Sequence, residues 1–135
     1  MRVATVKAFD EPFSPRVTSR IGALSPGHYT RMGTAIRHAT AQLADRPHRH
    51  RLLIVLTDGK PNDADHYEGR YGAEDTRRAV QEARRVGTSV FGVTIDSKAQ
   101  AYFPMLFGRG GFEIVSNPNR LPAVLPALYR QLAAG

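Results

Sequence analysis

Two stretches of the chain are apolar almost without a break: residues 52–56 (LLIVL), which run through Thr57 into Asp58, and residues 89–95 (SVFGVTI), which run into Asp96. Such runs lack the alternation of a strand with one wet face and predict strands covered on both sides, as in a parallel sheet. Elsewhere the apolar positions recur at helical spacing. Val17, Ile21 and Leu24 form one such set, and a helix over residues 31–43 would turn Met32, Ala35, Ile36, Ala39 and Leu43 inward. A further helix over residues 74–86 would bury Thr76, Ala79, Val80 and Ala83. Glu74 and Asp75 stand at its expected start, Arg84 and Arg85 in its last turn, and Gly87 suits a left-handed stop.

The remaining elements are shorter. Residues 2–9 read as a strand with Val3, Val6 and Phe9 as its apolar members, residues 10–15 as a turn and residues 25–30 as a loop. A short helix over residues 99–107 leads to the turn Gly108-Arg109-Gly110-Gly111 and a last strand over residues 112–115. Leu121, Leu125, Leu128 and Leu132 mark a closing helix that Pro126 should kink or restart. Strands alternating with helices predict a doubly wound α/β layer with right-handed crossovers, in one unit over residues 1–135. Ligands of such sheets bind beyond the carboxyl ends of the strands, where Asp58 and Asp96 fall.

At 135 residues with 41% hydrophobic and 23% charged positions, the chain has the size and composition of one soluble globular domain. It has no apolar run of about 18 residues, so no membrane span is expected. The first residues show no apolar core of a secretory signal, and a cytoplasmic location is the expectation. Zero cysteines exclude disulfides and thiolate metal sites. The net charge of +7 comes mainly from arginine. It favours acidic partners, but no aromatic-basic platform of the usual kind accompanies it, so nucleic acid is not the expected partner. The densest basic cluster, Arg46-Pro47-His48-Arg49-His50-Arg51, reads as a solvated connector, and His48-x-His50 lacks a third metal ligand nearby.

The acids after residues 52–56 carry the sharpest chemical question. Thr57, Asp58, Asn62, Asp63 and Asp65 could contribute oxygens to a hard cation such as Mg²⁺, which keeps several waters and takes only a few protein ligands. In the plainer reading Asp58 caps a turn and the other acids are solvated. Nucleotide hydrolysis by a Walker-B-type strand is not the expectation, because no G-x-x-x-x-G-K-[ST] loop is present to cradle phosphates. An alternative function, Mg-dependent phosphoryl transfer using Asp58, Asp63 and Asp65, lacks a general base or nucleophile beside the acids. His28, His38 and His66 have no Ser or Cys arrangement for nucleophilic catalysis. Tyr67 and Tyr71, flanking Glu68-Gly69-Arg70, suit either a contact surface or a packed loop.

LLIVLTDGKPND resembles the fourth strand and following loop of a von Willebrand factor A (VWA) domain, and YTRMGTAI resembles the threonine-bearing loop and helix start that precede it. TDGKPNDADHYEGRYGAEDTRRAVQEAR, VFGVTID and YFPMLFGRGGFEIV are similar, more specifically, to the C-terminal A domain of the NorD/CbbO group, activation proteins of nitric oxide reductase and Rubisco. The likeness spans essentially the whole chain. It implies an α/β, Rossmann-like three-layer VWA fold with a mostly parallel sheet. It also implies a non-catalytic adaptor working with a MoxR-type AAA+ ATPase to activate a metalloenzyme.

The same resemblance implies a metal-ion-dependent adhesion site (MIDAS), in which Mg²⁺ or Mn²⁺ bridges the domain to a target carboxylate. Position by position, Asp58 matches the late aspartate of the metal motif. Thr30 matches the middle threonine of T-x-x-G-x-A-[LI], although Tyr29 precedes it where many A domains have glycine. Arg31, Lys60, Asn62, Asp63 and Arg70 would face the partner. The first metal motif, Asp-x-Ser-x-Ser, is absent, since Asp10-Glu11-Pro12-Phe13-Ser14 has the wrong spacing, and cation binding by this chain alone is expected to be weak or absent. Residues 2–9 resemble the family's third, edge strand, so its first two strands and first helix are expected to be missing. Residues 52–56 would then present an unpaired edge. Closure by residues 2–9, a homodimer across the gap, and a fragment of a longer protein are the three outcomes.

Overall fold

The computed structural model describes residues 7–22, 32–47, 50–57 and 69–134. Their elements run in the order α1 (Pro15–Gly22), α2 (Met32–Ala44), β1 (Arg51–Thr57), α3 (Gly69–Arg85), β2 (Thr88–Thr94), α4 (Phe103–Phe107), β3 (Phe112–Ile114) and α5 (Leu121–Ala134). Single 3₁₀ turns, Ala99–Ala101 and Pro118–Arg120, precede α4 and α5. The strands form one parallel sheet in the order β1-β2-β3. β1 pairs with β2 along its whole length, from Arg51 opposite Thr88 to Thr57 opposite Thr94. The alternation of strand and helix thus gives the doubly wound layer that the apolar runs predict.

The sheet divides the core in two, because successive residues of a strand point to opposite faces. On one face Leu53, Val55, Val90, Phe112 and Ile114 meet Met32 and Ile36 of α2, Ala79, Val80 and Ala83 of α3, and Phe103, Leu106 and Phe107 of α4. Phe103 is the hub of this layer, with its ring edge-on to Tyr102 at 5.3 Å and to Phe112 at 5.8 Å. On the other face Ile54, Phe91, Val93 and Val115 meet Leu121, Val124, Leu125, Leu128 and Leu132 of α5. These helix–sheet–helix layers are the three expected.

Several expectations are corrected. β1 is only half-buried, and Leu56 is 53% exposed. Among the described residues no strand pairs with β1 on the side away from β2, and α5 packs mainly on residues of β2 and on Val115 just after β3. α3 begins at Gly69, five residues before the expected start, so Glu74 and Asp75 lie in its second turn and not at its amino end. They form ion pairs there instead of complementing the helix dipole. In α2, Ala35 is exposed and Ala39 and Leu43 are half-buried, so the buried face is Met32, Gly33 and Ile36. Of the strand expected over residues 2–9, the described part, residues 7–9, is not a strand, and residues 1–6 lie outside the described residues. α5 continues through Pro126 rather than restarting at it.

The turn after α4 forms as the glycines predict. Gly108 and Gly110 take positive φ values of 80° and 75°, and a side chain on Gly111 would meet the Phe107 carbonyl. The Arg84 guanidinium donates to the carbonyls of Phe107 at 2.6 Å and Val90 at 3.0 Å, joining α3, α4 and β2 beside this turn. Loss of water around it lowers the Arg84 pKa from its ordinary value.

Candidate functional site

The direction of the helices fixes which edge of the sheet can hold the expected site. Gly33 of α2 lies against Asp75 of α3, and Arg37 of α2 reaches Glu82 of α3, so the two helices run side by side in the same direction. α3 connects two parallel strands and therefore runs opposite to them. The amino ends of α2 and α3 consequently lie at the carboxyl edge of the sheet, where β1 ends at Thr57 and β2 at Thr94.

The packing at the start of α2 is close, and a larger residue than glycine would require Asp75 to move. A β-carbon on Gly33 would overlap the Asp75 carboxylate and lie 3.1 Å from the Asp75 carbonyl oxygen. One turn on, Arg37 donates to Asp75 Oδ1 at 3.0 Å and to Glu82 Oε2 at 2.8 Å. The Glu82 hydrogen bond is the main reason that the Arg37 pKa is raised. These pairs are partly exposed, with Arg37 at 37% and Glu82 at 53%, so each contributes at most about 1 kcal/mol. Their effect is geometric: they hold α2 at one depth and one rotation against α3. Glycine and isoleucine of the T-x-x-G-x-A-[LI] string, Gly33 and Ile36, are therefore packing residues, buried between α2 and its neighbours.

At the end of β2 the acid is already engaged. The Asp96 backbone N–H donates to the Thr94 hydroxyl at 3.1 Å. Asp96 Oδ1 accepts from the Lys98 backbone N–H at 3.0 Å, and Oδ2 accepts from the Tyr102 hydroxyl at 2.7 Å. Asp96 thus shapes the loop into α4 and ties it to Tyr102, one of the residues packed against the Phe103 layer.

Of the residues expected to form the metal site and the partner face, Thr30, Arg31, Asp58, Lys60, Asn62 and Asp63 lie outside the described residues, as does Asp65. Arg70 falls in the first turn of α3, so the segment read as loop up to residue 73 is helical from Gly69, and its side chain lies outside the described residues. What the described residues supply is the frame. β1 ends at the residue before Asp58, and α2 begins two residues after Thr30, both at the same edge. Among the described residues no three His, Asp or Glu side chains gather as a cation site. The sequence reading missed Asp75, Arg37 and Arg84 as positioning residues. Asp75 and Glu82, seven apart and thus on one helix face, were a legible signal, whereas nothing in the sequence points Arg84 at two carbonyls.

The family model for the von Willebrand factor type A domain matches residues 10–117. Protein NorD of Brucella melitensis is 62% identical over 133 residues, covering 98% of this chain and 21% of that protein. Protein NorD of Stutzerimonas stutzeri is 50% identical over 120 residues, covering 89% of this chain and 20% of that protein. An uncharacterized protein of Bacillus subtilis is 35% identical over 115 residues, covering 81% and 17% respectively. The chain spans about a fifth of the length of the curated relatives it matches. No solved structure matches it.

Proposed function

The chain belongs to the von Willebrand factor type A domain family, and on that premise we propose that it is a non-catalytic protein-interaction module of a NorD-like adaptor. In this reading it works with a MoxR-type AAA+ ATPase to activate a metalloenzyme, and catalysis resides in the partners. The observation that carries the reading is the 62% identity to Protein NorD over nearly the whole chain. The engagement of Asp96 in its own loop and of Asp75 with Arg37 supports it, since neither acid stands ready as a base or nucleophile.

The interaction edge is the carboxyl end of the sheet, where Thr30 and Asp58 would meet a target carboxylate and Arg31, Lys60 and Arg70 would add positive charge. A MIDAS cation does not fit this chain by itself. Thr30 and Asp58 are only part of the family's ligand set, the Asp-x-Ser-x-Ser portion is missing from the sequence, and the described acids nearby are committed to other partners. A second copy pairing along β1 is the homodimer that this reading allows.

Binding of the chain to a MoxR-type ATPase by biolayer interferometry, together with magnesium titration by calorimetry, tests the reading. Expected are specific capture of the ATPase and no sub-millimolar magnesium binding. Sub-millimolar binding that Asp58→Ala abolishes would refute the incomplete site. Phosphoester turnover sensitive to Asp58→Asn, without ATPase capture, would replace the adaptor with the phosphoryl-transfer alternative.

A further inference from the structure

At the opposite edge of the sheet, a cavity of about 340 Å³ lies between the carboxyl end of α2 and the amino end of β1, lined by Phe9, Asp10, Leu43, Arg46, His50 and Arg51. Three of its features point to a ligand. First, its charge is lopsided, with two arginines against Asp10. Second, the Arg46 guanidinium sits over the Phe9 ring at 4.5 Å, which holds a long basic side chain at the wall of the cavity. Third, Arg51 Nε is shielded from solvent and has no hydrogen-bond partner, while the Nη2 of the same side chain donates to the Arg46 carbonyl at 3.0 Å. A guanidinium nitrogen left in that state is costly, and Arg51 keeps donor capacity beyond its one hydrogen bond to the Arg46 carbonyl.

We propose that this cavity is a docking site for an acidic side chain, a glutamate or aspartate flanked by apolar residues, presented by a protein partner. The planar arginine fork matches a carboxylate, and Phe9 with Leu43 accepts the flanking apolar atoms. A concavity of this size suits one or two side chains. Nucleic acid is the less fitting class, because its phosphates call for a basic stripe, whereas here the charges converge on one hollow with Asp10 in its wall. The site lies at the far end of the sheet from Thr57 and does not depend on the metal-site reading.

Binding of the 135-residue chain to the peptide N-acetyl-Leu-Glu-Leu-amide, followed by calorimetry, tests the proposal. The glutamine analogue should bind about tenfold more weakly, and Arg51→Met should lose a similar factor. Arg46→Gln, which removes charge without touching the Arg51 hydrogen-bond acceptor, should weaken binding roughly threefold and guards against a folding artefact at Arg51. Loss of peptide binding in Asp58→Ala, with the two arginine variants silent, would place the peptide at the carboxyl edge and overturn the proposal. Equal binding of the two peptides, no binding of either up to about 10 mM, or insensitivity to both arginine variants overturns the proposal, where 10 mM marks an affinity too weak for docking. Displacement of the peptide by a single-stranded oligonucleotide at lower concentration overturns it in favour of nucleic acid.

Discussion

β1 and β2 are each seven residues long and read almost alike, yet one is half-wet and the other buried along nearly its whole length. The difference lies in their neighbours. β2 has β1 on one side and β3 on the other, α3 and α4 over one face and α5 over the other, so that Val93 and Thr94 are inaccessible. β1 pairs with β2 alone among the described residues, and α5 reaches it only at Ile54. A continuous apolar run therefore shows that a strand can tolerate burial on both faces. How much burial it receives is set by elements distant in sequence.

The greatest loss should come from the layer over β2. Phe103 is wholly buried and touches rings on both sides of it, so Phe103→Ala leaves a cavity that α4 cannot close without releasing Phe107 and Phe112. A loss of about 3–5 kcal/mol is expected. Urea unfolding would register it as a lower midpoint at unchanged slope. A loss below about 1 kcal/mol would mean that the contrast between the two strands is not one of packing.

A smaller effect separates two residues that face each other across the strands, Val55 of β1 and Gly92 of β2. A β-carbon on Gly92 would sit 2.5 Å from the ring of Phe107, which is itself buried and cannot yield. Gly92→Ala should thus cost about 1–3 kcal/mol by overpacking. Val55→Ala, which removes two methyl groups from a half-buried position, should cost roughly 1 kcal/mol. Reversal of that order in thermal unfolding would show the β2 face to be the softer one.

The same contrast explains what could be read from the sequence. β2, the inward residues Thr76, Ala79, Val80 and Ala83, and the positive-φ turn at Gly87 were legible because local pattern and burial agree there. The start of α3 was missed because Gly69 and Gly72 are poor helix formers. Tertiary packing overrides that propensity, since Gly72 is buried in the folded chain. The role of Asp75 was misread for the same reason: without Gly33 and Arg37 beside it, an acid near a helix start looks like a dipole partner. At the candidate site Thr30 and Asp58 are expectations from resemblance and lie outside the described residues. The fold supplies only the convergence of the chain ends that flank them.

The smallest expected change tests the wet side of β1. Leu56 projects to the same face as Ile54 but beyond the reach of α5, and it stays 53% exposed. Leu56→Ser should alter the unfolding free energy by no more than about 0.5 kcal/mol, because the wild-type side chain gains little from folding. Its effect should fall on association instead. An exposed leucine on an outer strand is what a second strand or a second copy would cover, so the substitution should lower the self-associated fraction in sedimentation velocity at high protein concentration. A large stability loss with unchanged sedimentation would mean that Leu56 is covered within the single chain, and β1 would then be as much an inner strand as β2.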